Sequence, residues 1–267
     1  MTKMNINKMR NYKRENKTIV WVTAYDYPQA RIAENAGVDM ILVGDSAGNT
    51  THGHQGTLQM DMPKMLTHSA AVAKGSKSAF LVGDMPYMSY QASVDEAVRN
   101  AGKFIRAGMD SVKLEGYLPD QIRKISEAGI LVCGHLGLTP QSVAKFGGYR
   151  VQGKTEDNTK AILNQARHLQ SEGMDFLLLE AMPPESAGKI ASNLSIPVYG
   201  IGAGNQVDGQ LVIFHDLVGL SFEFTCKFVK KYVDGEQLLS DGLKQYTEEV
   251  RTGIFPGPEH FYEVSKQ

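Results

Sequence analysis

The chain has 267 residues, 42% of them hydrophobic and 21% charged, enough to bury a full core in one large domain or in two of ordinary size. Its 28 lysines and arginines balance 29 aspartates and glutamates, a formal net charge of -1, which excludes the strongly basic surface expected of a nucleic-acid or anionic-membrane binder and points to small-molecule substrates. Two cysteines, Cys133 and Cys226, form no CxxC pair, the basic N-terminus lacks an apolar signal core, and no apolar run of about 18 residues occurs, so a soluble cytoplasmic protein without a disulfide framework is expected.

In chain order, the apolar and β-branched runs are IVWVTAYD (19–26), MILVGD (40–45), AFLVGD (79–84), SVKLEG (111–116), LVCGH (131–135), FLLLE (176–180), PVYGIG (197–202) and LVIFHD (211–216). Several are continuously apolar rather than alternating, which suits parallel strands covered on both faces. Amphipathic segments fill most gaps. In SVDEAVRNAGKFIRAG (93–108), Ser93 and Glu96 have capping-box spacing, while Pro119 and Pro183–Pro184 sit where first-turn prolines are tolerated. The alternation predicts a single (β/α)8 TIM barrel over residues 1–267 with a short N-terminal extension and C-terminal helices; an open doubly wound sheet is the alternative. Only about six residues, Asn205 to Gln210, separate the last two runs, so that crossover is abbreviated or a strand is misplaced. Beyond the eighth run, EFTCKFVKKYV (223–233) and EQLLSDGLKQYTEEVRTG (236–253) read as helices.

An internal echo supports the barrel. AGVDMILVGD (36–45), AGMDSVKLEG (107–116) and EGMDFLLLEA (172–181) each pass from a helix-ending glycine (Gly37, Gly108, Gly173) through an apolar strand to an acid. Barrel enzymes carry their chemistry at the carboxyl ends of strands, and the residues there are mostly ionisable: Asp26, Asp45, Asp84, Glu115, His135, Glu180 and Asp216. Any one could be a helix cap, but carboxylates converging on one mouth need a compensating cation. Asp45, Asp84 and Glu115 therefore read as hard-oxygen ligands for Mg²⁺. Lys113 shares the inward face with Glu115, either as an internal ion pair or to bind a substrate carboxylate or enolate oxygen, and His135 is either a donor to substrate or structural. The isolated HGH of His52 and His54 lacks further ligands, and GIGAG (200–204) lacks the spacing of a dinucleotide loop; its glycines suit close approach of backbone to a ligand.

The motifs TAYDYPQA (23–30), GDSAGNTTHGH (44–54), GDMPYMSY (83–90), VKLEG (112–116), GHLGLTPQS (134–142), GGYRVQGK (147–154), LLLEAMP (177–183), GIGAG with DGQ (200–210) and FPGPEHF (255–261) occur in an order that resembles the ketopantoate hydroxymethyltransferase family. The resemblance implies transfer of a hydroxymethyl group from 5,10-methylenetetrahydrofolate to 3-methyl-2-oxobutanoate, giving ketopantoate for pantothenate and coenzyme A synthesis through a Mg²⁺-stabilised enolate. It implies Mg²⁺ on Asp45, Asp84 and Glu115, substrate contacts from Asp45, Ser46, Asp84, Lys113 and His135, and Glu180 as proton acceptor. It also implies a large homo-oligomer, commonly a decamer. The loop AGNTTHG after Ser46 departs from the more apolar stretch expected of the family, and EAMPPES differs locally. A folate-independent, metal-dependent lyase of 2-oxo acids and a non-enzymatic binding barrel are the competing readings.

Overall fold

The computed structural model describes residues 2–222 and 226–263 and closes eight parallel strands into a barrel in chain order. They are β1 Ile19–Thr23, β2 Met40–Val43, β3 Phe80–Asp84, β4 Ser111–Glu115, β5 Leu131–Gly137, β6 Phe176–Glu180, β7 Val198–Ile201 and β8 Gly209–Val212, with β8 pairing back onto β1. Period two splits the apolar side chains between two cores. Inward-facing Trp21, Met40, Leu42, Phe80, Val82, Phe176, Leu178 and Tyr199 fill the barrel, whereas outward-facing Ile41, Leu81, Val112, Leu114, Val132 and Leu177 pack with the surrounding helices.

Helix ends carry the chemistry read from the sequence. Ser93 Oγ accepts the Glu96 N–H at 3.1 Å, and Pro119 and Pro184 each begin a helix. Gly37, Gly108 and Gly173 have φ of 75°, 100° and 101°, the left-handed conformation that closes a helix. The aspartates inside the echo have a further role. Asp39, Asp110 and Asp175, each just before an even-numbered strand, accept the backbone N–H of Val20, Leu81 and Val132 on the strand before; Asp208 does the same for Val198. Orphan donors at the amino end of the sheet are thereby satisfied.

The basic N-terminus forms the helix Ile6–Arg14, whose Met9, with Met4 before it, joins the barrel-filling cluster. Lys3, Arg10 and Lys13 pair with Asp110, Asp175 and Asp208 at 2.6, 2.9 and 2.8 Å. This helix therefore closes the amino end of the barrel, leaving the carboxyl end open for chemistry.

Three expectations are corrected. The first run leaves the sheet at Thr23, and Asp26 instead caps the helix Tyr27–Ala36 by accepting the Gln29 N–H at 2.7 Å. The eighth strand lies at Gly209–Val212; Thr23 Oγ1 accepts the Phe214 N–H, the chain turns into the short helix Phe214–Val218, and Asp216 sits in that helix rather than at a strand end. Of the helix expected over 223–233, the first three residues lie outside the described ones, and 226–233 is non-helical, with Tyr232 giving its N–H to the Leu217 carbonyl. The seventh-to-eighth connection is abbreviated, with no helix between Ile201 and Gly209. The glycines of GIGAG approach protein: a side chain on Gly204 would meet Pro184 at 2.5 Å, and one on Gly202 would meet Phe228 at 2.5 Å. The last expected helix is present as Gly235–Thr252.

Candidate active site

The period that sends Phe80 and Val82 into the barrel sends Asp84 to the same face one layer higher, and it does likewise for Lys113 and Glu115 on β4, His135 on β5 and Glu180 on β6. Parallel pairing sets Asp84 beside Lys113, Glu115 beside His135, and Gly137 beside Glu180. Asp45 arrives from the loop after β2, and its N–H donates to Asp84 Oδ2 at 3.1 Å. The result is a polar layer on an apolar barrel, assembled from four adjacent strands and one loop.

Carboxylate oxygens of Asp45, Asp84 and Glu115 lie within 4.8 Å of one another, and all three residues are buried. Lys113 Nζ donates to Asp84 Oδ1 at 2.7 Å and to Glu115 Oε1 at 3.0 Å. Burying such ions costs several kcal/mol each unless they are paired and hydrogen bonded. Asp45 is the least compensated. Burial first, then the charges of Asp84 and Glu115, push its carboxyl well above the usual range. Burial also raises Asp84 against the opposing pull of Lys113. For Glu115, burial is outweighed by Lys113 and His135, which bring its carboxyl down to about 2. When ionised, three carboxylates and one ammonium carry a formal excess of negative charge in a dry site, which a hard divalent cation would offset. The oxygen-only donor set and its charge both fit Mg²⁺.

His135 stands between two carboxylates. Its Nδ1 is 3.2 Å from Glu115 Oε1 and its Nε2 is 3.3 Å from Glu180 Oε2, the latter without the alignment of a hydrogen bond. Burial opposes the charged ring, but Glu115 prevails and lifts it to about 9, so the imidazolium is the form present at neutral pH. Glu180 alone of the group keeps contact with solvent, its side chain 17% exposed at the mouth. The hydroxyl of Ser46 shares a 2.8 Å hydrogen bond with the buried Tyr25 phenol. Five of the seven candidates, Asp45, Asp84, Glu115, His135 and Glu180, thus converge, whereas Asp26 caps a helix and Asp216 lies within one.

A family model described as ketopantoate hydroxymethyltransferase matches residues 3–258. The chain belongs to the ketopantoate hydroxymethyltransferase family. A relative from Thermotoga maritima, 3-methyl-2-oxobutanoate hydroxymethyltransferase, is 48% identical over 97% of this chain and 96% of its own. One of the same name from Syntrophomonas wolfei is 43% identical over 100% of this chain and 98% of its own. Among solved structures, phosphoenolpyruvate phosphomutase from Streptomyces platensis superposes with a TM-score of 0.66 at 16% identity, covering 97% of this chain and 92% of that one. Phosphonopyruvate hydrolase in complex with oxalate and Mg²⁺ superposes with a TM-score of 0.62 at 13% identity, covering 99% and 93%. At such identities these two show a shared barrel alone.

Three residues that complete this family member's site carry little charge signal in the sequence. Gln141, in GHLGLTPQS, donates from Nε2 to Asp45 Oδ2 at 2.9 Å and from its backbone N–H to Glu115 Oε2 at 3.0 Å. Tyr90 donates to Gln141 Oε1 at 2.6 Å and accepts the Glu115 N–H at 3.1 Å. Tyr25 orients Ser46. All three lie inside recognisable motifs, but a search for ionisable groups at strand ends passes over them. The HGH histidines lie apart from the carboxylates: His52 stacks on His54, and its Nε2 faces that of His68 at 2.9 Å.

Proposed function

We propose that this enzyme transfers a hydroxymethyl group from 5,10-methylenetetrahydrofolate to 3-methyl-2-oxobutanoate, forming ketopantoate, with Asp45, Asp84 and Glu115 holding Mg²⁺. The observation that carries this reading is the buried triad of carboxylates set beside the partly exposed Glu180, in a chain whose relatives are named 3-methyl-2-oxobutanoate hydroxymethyltransferase. Mg²⁺, when bound, supplies a Lewis acid able to polarise the ketone of a 2-oxo acid.

The chain's own residues do the rest. Ser46, held by Tyr25, and the Lys113 ammonium receive the substrate carboxylate and the oxygen on which negative charge grows. Glu180 takes the C3 proton. The His135 Nε2, 3.3 Å from Glu180 Oε2, places a positive group beside the base. The electron pair left at C3 forms the new carbon–carbon bond to the donor's methylene carbon as one of its two bonds to nitrogen breaks. Water then displaces the second nitrogen and supplies the hydroxyl, and the C3 proton together with the remaining proton of water protonates the two freed nitrogens. Tetrahydrofolate leaves as the second product.

The whole chain works as one barrel unit in the cytoplasm and as a homo-oligomer, with a decamer as the expected size. Among the described residues, no helix is long and apolar enough to cross a membrane. The helix Gly235–Thr252 has only Gly235 buried and presents Leu239, Leu243 and Tyr246 to solvent, an apolar face suited to a second copy.

Proton abstraction is testable without the folate. In D₂O, NMR of 3-methyl-2-oxobutanoate with enzyme and Mg²⁺ is expected to show loss of the C3 proton signal, slowed at least a hundredfold by Glu180→Gln. Exchange that is unchanged in Glu180→Gln would remove Glu180 as the base.

A further inference from the structure

Gln141 is neutral, buried, and lies outside the carboxylate group it touches, yet every hydrogen-bonding position of its side chain is committed. Oε1 accepts from the Tyr90 hydroxyl at 2.6 Å and from Gln91 Nε2 at 3.2 Å, while Nε2 donates to Asp45 Oδ2 at 2.9 Å and to the Met85 carbonyl at 3.0 Å. Tyr90 fixes the sense of the amide. Its hydroxyl oxygen already accepts the Glu115 N–H, so its proton goes to Gln141, which must present oxygen there and the amino group to Asp45. The Gln141 backbone N–H donates to Glu115 Oε2 at 3.0 Å, so one residue after β5 ties together two of the three carboxylates, from different elements.

We infer that Gln141 is a positioning residue for the divalent cation, with Tyr90 as its lock. The Nε2 donor occupies Oδ2 of Asp45, turns Oδ1 toward the shared space, and offsets part of the repulsion from Asp84 and Glu115. Partners of this kind, which orient metal-binding carboxylates through hydrogen bonds, are worth ten- to a hundredfold in metal affinity. The inference rests on the reading of Asp45, Asp84 and Glu115 as metal ligands, and its test separates the two.

Mn²⁺, a hard divalent probe, is titrated into the full-length protein, and the free ion is followed by electron paramagnetic resonance. Wild type is expected to bind it, and Asp84→Asn to bind it far more weakly. Gln141→Met, which keeps length and volume but has no donor, is expected to raise the Mn²⁺ dissociation constant about ten- to a hundredfold. Tyr90→Phe frees the amide to turn and raises the constant in the same direction by less; it keeps the test available if Gln141→Met fails to fold. Gln141→Asn, which retains the amide on a shorter stem, recovers part of the loss. A merely structural role would lower the melting temperature of the metal-free protein and leave Mn²⁺ affinity alone. Wild type without Mn²⁺ binding overturns the metal reading. Wild-type binding with affinity unchanged within twofold in Gln141→Met, or in Tyr90→Phe where that variant alone folds, overturns the role of Gln141.

Discussion

Replacing Lys113 with Met keeps the aliphatic stem and removes the charge that joins Asp84 at 2.7 Å and Glu115 at 3.0 Å. The lysine is 3% exposed, so solvent does little to screen the loss. Removing one partner from a buried ion pair typically costs about 3–5 kcal/mol, because the remaining charge stays behind unpaired. For a chain of this size that corresponds to a fall of roughly 6–20 °C in Tm. The loss has a pH signature. Burial raises both Asp45 and Asp84 in the fold, and Lys113 opposes both shifts. A carboxyl raised by folding contributes stability that is fully present below its unfolded value, about 3.9 for Asp, and lost as pH rises through its folded value. Without Lys113 those folded values climb further, so the deficit of Lys113→Met is largest at neutral pH and narrows toward pH 5. The assay is urea unfolding of the chelator-treated protein at fixed concentration, followed by fluorescence of the single tryptophan, Trp21, which lies inside the barrel. The double variant Lys113→Met with Glu115→Gln is expected to regain part of the loss. Stability within 1 kcal/mol of wild type at pH 7, or a deficit that widens on acidification, would refute this electrostatic reading of the site.

Saturating Mg²⁺ is expected to raise Tm reversibly, by the equivalent of about 2.7 kcal/mol at a hundred times its dissociation constant, and calorimetry should show the gain vanish with chelator and in Asp84→Asn. Tyr25→Phe removes the partner of Ser46; at roughly 1 kcal/mol for one hydrogen bond, kcat/KM for the 2-oxo acid should fall about fivefold in steady-state assays while the fold persists. Met9→Ala opens a cavity beneath the barrel and should cost about 2–5 kcal/mol in urea unfolding with KM unchanged, since the helix Ile6–Arg14 closes the end away from the carboxylates. Light scattering coupled to gel filtration should give a mass several times the 29.3 kDa of one chain, and Leu239→Glu with Leu243→Glu should reduce it.

The barrel was legible because its strands are short, apolar and punctuated by acids, and because the echo repeats a helix-closing glycine at one register. The period of two places Lys113 and Glu115 on one face, and Asp45 and Asp84 stand out as the acids that end apolar runs. Other features depend on tertiary context. LVIFHD keeps an apolar rhythm past Val212, and only the Thr23 hydroxyl taking the Phe214 N–H shows where the sheet ends. The N-terminal helix is basic and polar along most of its length; two methionines and three ion pairs with distant aspartates account for its position. Asp39, Asp110 and Asp175 lie within the echo, yet their service to a neighbouring strand's N–H is a property of pairing that spacing alone does not express. Gln141 and Tyr90 act as neutral donors and acceptors, so no pattern of charge in the sequence marks them.

The most direct test of the proposed reaction is mass spectrometry of 3-methyl-2-oxobutanoate incubated with enzyme, 5,10-methylenetetrahydrofolate and Mg²⁺, repeated with the folate omitted and with chelator added. Ketopantoate is expected in the complete mixture and in neither control. Folded enzyme that forms none in the complete mixture, or that consumes the 2-oxo acid equally well without the folate, would contradict the one-carbon transfer assigned to this site.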